Sequence, residues 1–145
     1  MKVFLDTSVL VAAVLKRHEL HGRAFQVLDR VQNGKDEGHV SAHSLAEMYS
    51  VLTKLPPPFR HTPEQALLSI EENVVKHFKI KGLSGSDYAA LIREAALSGI
   101  QGGTIYDAVL LKAASNSGSE KIWTLNVKHF QKIASRTISS QIAAP

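Results

Sequence analysis

Apolar and polar positions fall in blocks along this chain, and the blocks change period. The opening "KVFL" is a β-branched and aromatic run without alternation, which predicts a buried strand. After Asp6-Thr7-Ser8 an apolar segment runs to Lys16, and Ala24, Phe25, Leu28 and Val31 then keep helical spacing up to Asn33-Gly34. "GHVS" at 38–41 predicts a second strand. The next stretch, 42–55, places Leu45, Met48, Tyr49 and Leu52 on one helical stripe, and Pro56-Pro57-Pro58 stops it. Thr62-Pro63 reopens a helix, with Gln65 completing a capping box and Ala66, Leu67, Ile70, Val74 and Phe78 as its apolar face. "FKIKG" predicts a third strand. Ser84 or Ser86 caps a helix through Leu97 that ends at Gly99, and a further helix covers about 104 to 116 before Gly118. "KIWTL" at 121–125 predicts a fourth strand, followed by a short helix near 126–133 and a weak "RTIS" strand. Strands separated by helices imply a mostly parallel sheet with right-handed crossovers, an α/β/α sandwich.

That topology brings the polar exceptions together. Ligands on a parallel sheet bind at the carboxyl ends of its strands. Asp6 follows the first strand and Asn126 the fourth. Glu47 lies early in the helix after strand two, and Asp107 in the first turn of the helix before strand four. Each acid has a plain structural explanation. Asp6 can be a helix N-cap. Ser44 to Glu47 has capping-box spacing, and Thr104 to Asp107 nearly does. Early-helix acids also gain about 0.3–1 kcal/mol from the macrodipole. Capping does not explain their company. Three carboxylates at one sheet edge repel in a low-dielectric cleft, and a divalent cation removes the conflict.

Composition narrows the choice of ion. The chain has 145 residues, enough for one domain with a core, and no cysteine. A metal must therefore sit on oxygen or imidazole, and carboxylates favour a hard ion, Mg²⁺ or Mn²⁺. The formal charge of +4 leans mildly toward polyanionic partners, although scattered surface lysines give the same value. The opening lacks the pattern of a signal peptide, and the apolar run near Val9 to Leu15 is too short to span a bilayer. The expectation is a cytoplasmic protein without a membrane segment.

Four stretches in order, "FLDTSVLVA" at 4–12, "SAHSLAEMYSVL" at 41–52, "GGTIYDAVLLKAA" at 102–114 and "IWTLNVKHF" at 122–130, resemble the PIN-domain ribonucleases. Within them, the chain is similar to the VapC-type toxins of prokaryotic toxin–antitoxin pairs. The resemblance implies a single PIN domain over residues 1–145, with a central sheet of four to five strands flanked by helices. It implies Mg²⁺ or Mn²⁺ held by Asp6, Glu47 and Asp107, and cleavage of RNA phosphodiesters. Thr7 matches the hydroxyl residue that shapes the site, and Ser41 and Thr124 match small polar residues near the acids. It further implies a homodimer silenced by an antitoxin whose tail fills the cleft. The departure is Asn126, where many members carry aspartate; its neutral amide can orient a water but adds no charge to hold a second ion.

Other signals are weaker. His18 and His21 have the i,i+3 spacing of a metal pair, yet a helix–helix turn favours solvated histidines. Arg17, Arg23, Lys112, Lys128 and His129 are candidates to hold an RNA backbone, the last two best placed because they follow Asn126. Trp123, within a strand, reads as core. Haloacid-dehalogenase-type phosphatases also open on a strand ending in aspartate, but they need a second aspartate where Ser8 stands. A PIN-like RNA- or protein-binding domain with little or no catalysis is the other alternative.

Overall fold

The first strand, β1 (Lys2–Leu5), lies at the centre of a five-stranded sheet in the order β3-β2-β1-β4-β5. The computed structural model describes residues 1–145. The other strands are β2 (Glu37–Ser41), β3 (Lys79–Lys81), β4 (Lys121–Trp123) and β5 (Ile142–Ala143), and every pairing is parallel. Helices α1 (Thr7–Val14) and α2 (His21–Gln32) connect β1 to β2. Then come α3 (Ala42–Lys54) and α4 (Pro63–Ile70), which runs into a π-helical turn (Glu71–Val75) before β3. Helices α5 (Gly85–Leu97) and α6 (Thr104–Ser117) carry the chain to β4, and α7 (Val127–Ile133) and α8 (Arg136–Ser139) to β5. None of these helices is long and apolar enough to cross a membrane.

Register sorts the sheet into two cores. Val3 pairs with Gly38 and Phe4 with His39 on one side, and Phe4 pairs with Ile122 on the other. Alternation therefore puts Val3, Leu5 and Val40 on one face, packed with Leu28 and Val31 of α2, Met48 of α3, and Ile70, Val74 and Phe78. Phe4, Ile122 and Ile142 face the other way, against Leu110 and Ala114 of α6 and Phe130 of α7. Leu91 of α5 packs outside α6 against Ala108 and Val109. Partly buried Trp123 rests on the first core, as its strand position implies.

Gly38 shows how tightly the first core closes. A Cβ there would meet Val31 Cγ1 at 2.5 Å and Phe78 Cδ1 at 2.6 Å. We expect Gly38→Ala to destabilise the protein by about 1–3 kcal/mol through overpacking. Chemical denaturation checks this, and an unchanged midpoint would mean that α2 can slide off the strand.

Most predicted elements stand, including the Thr62–Gln65 capping box and the Ser84 cap, completed by Asp87. Three expectations fail. "RTIS" is not a strand: Ser135 Oγ accepts the Ile138 amide and caps the short helix α8, and the fifth strand lies beyond it. Ser44 to Glu47 is not a capping box: Ser41 caps α3 by accepting the His43 amide, which leaves Ser44 inside the helix. Phe25, Tyr49 and Leu67 lie at the edges of their stripes and are exposed, while Ala24, Met48 and Ala66 beside them are buried.

Candidate metal centre

Strand order reverses at β1, with β2 on one side and β4 on the other, so a crevice opens beyond their carboxyl ends. Asp6 sits at its floor. Its backbone stays extended, its amide donates to Trp123 O at 2.9 Å, and the residue is 3% exposed. Asp6 occupies the N-cap position of α1 but makes no side-chain cap hydrogen bond. Its Oδ2 accepts from Ser8 Oγ and, at 2.8 Å, from Thr124 Oγ1. Those hydroxyls are fixed in turn, Ser8 by the Leu125 amide at 3.1 Å and Thr124 by the Asn126 amide at 3.0 Å. The capping explanation of Asp6 fails, because its carboxylate is oriented by two hydroxyls, Ser8 in the first turn of α1 and Thr124 after β4, and makes no side-chain cap hydrogen bond.

Glu47 approaches from the second turn of α3. Thr7 Oγ1 donates to Ser44 Oγ at 2.9 Å, clamping the start of α1 against α3. His43, one turn before Glu47, brings Nε2 to 3.1 Å from Oε1 outside hydrogen-bonding alignment, so that oxygen is buried without a partner. The His43 ring stacks on Tyr106 at a centroid distance of 5.3 Å. Next to that tyrosine, Asp107 stands in the first turn of α6, whose N-cap is Gly103 with no side-chain cap, so Asp107 does not cap either. Its Oδ2 lies 2.8 Å from His129 Nε2 on α7.

Asp6, Thr7, Glu47, Asp107 and Asn126 line one open cleft of about 400 Å³. His18 and Ser8 also line it; the sequence marked His18 only as half of a weak metal pair and set it aside as solvated, and it missed Ser8 as a site residue. His18 Nδ1 accepts the Leu20 amide, while His21 Nδ1 lies 3.0 Å from Ala12 O, so the two imidazoles are engaged separately. The signal for Ser8 is its spacing two residues after Asp6, which the sequence alone turns only into an argument against phosphatases. Among the candidate cations, only His129 reaches a cleft acid. Arg17 lines an adjoining pocket, Lys112 lines a groove facing α5, Lys128 lies beside Asn126, and Arg23 is exposed on α2.

The electrostatics agree with the geometry. Burial pushes the Asp6 carboxyl above the ordinary aspartate range, the Ser8 and Thr124 hydroxyls oppose it, and the charge of Asp107 adds to the rise. Burial, then the charges of Asp6 and Asp107, push Glu47 up to about 7. Burial raises Asp107 as well, against the pull of His129. No three acidic or imidazole groups close into a tight cage; the carboxylates share an open cleft instead. That arrangement fits a hard cation that keeps several of its waters, since the donors are all oxygens and Glu47 Oε1 is unpartnered.

The PIN-domain family model matches residues 3–135, and the chain belongs to that family. Among curated proteins, it is 34% identical over 115 residues to Ribonuclease VapC40 of Mycobacterium tuberculosis, covering 79% of this chain and 80% of that protein. It is 31% identical over 116 residues to Ribonuclease VapC27 of the same organism, covering 80% of this chain and 79% of the relative. Among solved structures, the fold matches the sarcin-ricin loop cleaving toxin VapC20 of Mycobacterium tuberculosis with a TM-score of 0.69 at 14% identity, over 92% of this chain and 96% of that one. It matches VapBC2 of Rickettsia felis, crystallised with a DNA fragment from its promoter, with a TM-score of 0.62 at 20% identity, over 92% and 93% of the chains.

Proposed function

We propose that the protein is a metal-dependent ribonuclease, the toxin of a VapBC-type pair, with one catalytic domain spanning residues 1–145. The observation that carries this reading is the convergence of Asp6, Glu47, Asp107 and Asn126 on one cleft at the sheet's switch point. The names of the VapC ribonucleases support the activity, and the VapBC structure supports a cognate antitoxin as partner. Homodimerisation and a cytoplasmic setting belong to the same reading.

Asp6, Glu47 and Asp107 would hold Mg²⁺ or Mn²⁺. When bound, such an ion supplies a water made nucleophilic at neutral pH and offsets charge developing on phosphorus. The chain's own residues set the geometry. Ser8 and Thr124 hold Asp6 in one orientation, and Thr7 fixes α1 against α3 so that Glu47 faces it. Asn126, exposed at the cleft wall, is placed to orient a water or a phosphate oxygen through its amide. His129 holds Asp107.

The test is incubation of the purified protein with total RNA in Mg²⁺ or Mn²⁺, and in EDTA. We expect cleavage that EDTA abolishes and added Mn²⁺ restores. RNA left intact under all conditions would favour a PIN-like binding domain, and release of phosphate from a generic phosphomonoester would favour the phosphatase reading.

A further inference from the structure

The acidic cleft does not end at Glu47. Glu47, Val51 and Leu55 form an i, i+4, i+8 row on α3 and its C-cap, a rise of roughly 12 Å. Glu47 and Val51 line the acidic cleft, Leu55 lines a second pocket of about 420 Å³, and His18 lines both. The second pocket is therefore the continuation of the first along the groove between α1 and α3.

Its chemistry is the opposite of the cleft's. Leu55, Pro56 and Phe59 form apolar walls, and Lys16, Arg17 and His61 bring basic groups. Of its 9 lining residues none carries a carboxylate. The Arg17 guanidinium lies 4.9 Å from the centroid of the Phe59 ring. Phe59 is 44% exposed, so it is not held there by burial in a core. It is held by its loop. The Phe59 amide donates to Pro56 O at 3.0 Å, Arg60 Nε to Leu55 O at 2.9 Å, and the His61 amide to Leu52 O at 3.0 Å. An exposed aromatic ring on a pinned loop, with the Arg17 cation over it and Lys16 in the same pocket, offers a π surface and a phosphate partner together.

We propose that this pocket is a nucleobase subsite. It takes an unpaired base of the RNA strand a short way along from the scissile phosphate, stacked on Phe59, with Arg17 and Lys16 engaging the adjoining phosphate. The inference rests on the ribonuclease reading for the identity of the strand. A peptide from a protein partner would suit the apolar walls, but the run of basic groups without an acid favours a polyanion. The volume lies within the range of small-molecule sites.

The experiment uses the full chain carrying Asp107→Asn, to prevent cutting, in Mg²⁺. Single-stranded oligoribonucleotides carry 2-aminopurine at successive positions. We expect one position to be quenched on binding. Phe59→Ser should weaken binding roughly tenfold and remove that quenching, while Phe59→Trp retains both. An abasic site at the same position should cost the protein with Phe59 intact a similar factor and the Phe59→Ser variant nothing. Equal affinities with and without the Phe59→Ser substitution, or abasic penalties that ignore it, would overturn the subsite; a peptide groove predicts that result. Circular dichroism checks that the variants are folded. Wild-type cleavage of total RNA is measured in parallel. Cleavage with no dependence on Phe59 removes the subsite alone, whereas Phe59-dependent stacking without any cleavage retains the subsite and removes the ribonuclease reading.

Discussion

Asp107→Asn is expected to abolish RNA cleavage without unfolding the protein. Asp107 is one of three acids sharing the cleft, and its side chain is only 27% exposed. In the proposed site, removing its charge would take away a metal ligand, and the loss in rate should be at least about a hundredfold. Stability should respond differently. In the metal-free protein the charge of Asp107 opposes ionisation of both Asp6 and Glu47, so a neutral side chain relieves repulsion. An asparagine oxygen can still accept from His129, which preserves the link between α6 and α7. The thermal midpoint in EDTA should therefore be unchanged or slightly raised. Cleavage and melting are measured on the same preparation in EDTA and in Mg²⁺. Activity surviving in a folded variant would remove Asp107 from the metal site, and a large drop in midpoint would make its role structural.

What makes these acids legible is their position relative to strands, not their immediate neighbours. The unbroken run before Asp6 marks a buried strand, and a parallel sheet fixes where its carboxyl end points. Asp6, Glu47, Asp107 and Asn126 can be gathered from element order alone. The supporting contacts cannot. Ser8 reaching Asp6 is local, but Thr124 reaching Asp6 spans most of the chain, and His129 reaching Asp107 joins two helices. No period in the sequence encodes such a pairing. The cap of α3 is ambiguous in sequence because two serines three residues apart compete, and the true cap, Ser41, is set by where β2 ends. The last strand is misplaced onto "RTIS" because Ile142–Ala143 is too short to show alternation, while Thr137 and Ile138 carry β-branched side chains within a capped helical turn. Arg17 is visible as a cation, yet its contact with Phe59 depends on how the loop after Pro56 folds back.

Metal should stabilise the folded protein, and pH should set by how much. Glu47 has its carboxyl pushed up to about 7 from 4.5. A raised carboxylate value means that the folded state binds a proton more tightly than the unfolded chain. In EDTA, the contribution of Glu47 to stability should therefore be fully present below the unfolded value, fall as pH rises through 4.5 toward about 7, and level off above it. The side chain of Glu47 is 34% exposed, so solvent screening reduces the loss to about 1–2 kcal/mol. Glu47→Gln should remove this part of the slope and leave the part that the raised Asp6 and Asp107 carboxyls contribute. A cation bound by the three carboxylates in the folded state alone reverses the trend. At a hundredfold excess over its dissociation constant the gain is about 2.7 kcal/mol, roughly 5–10 °C for a chain of this size. Because protons and metal compete for the same oxygens, the Mn²⁺-dependent gain should be largest near pH 8 and shrink below about 7 as Glu47 is protonated. Melting curves from pH 5 to 8 in EDTA and in millimolar Mn²⁺ separate the effects. A midpoint that ignores Mn²⁺ at pH 8 would mean that Asp6, Glu47 and Asp107 do not act as one ligand set, whatever the activity shows.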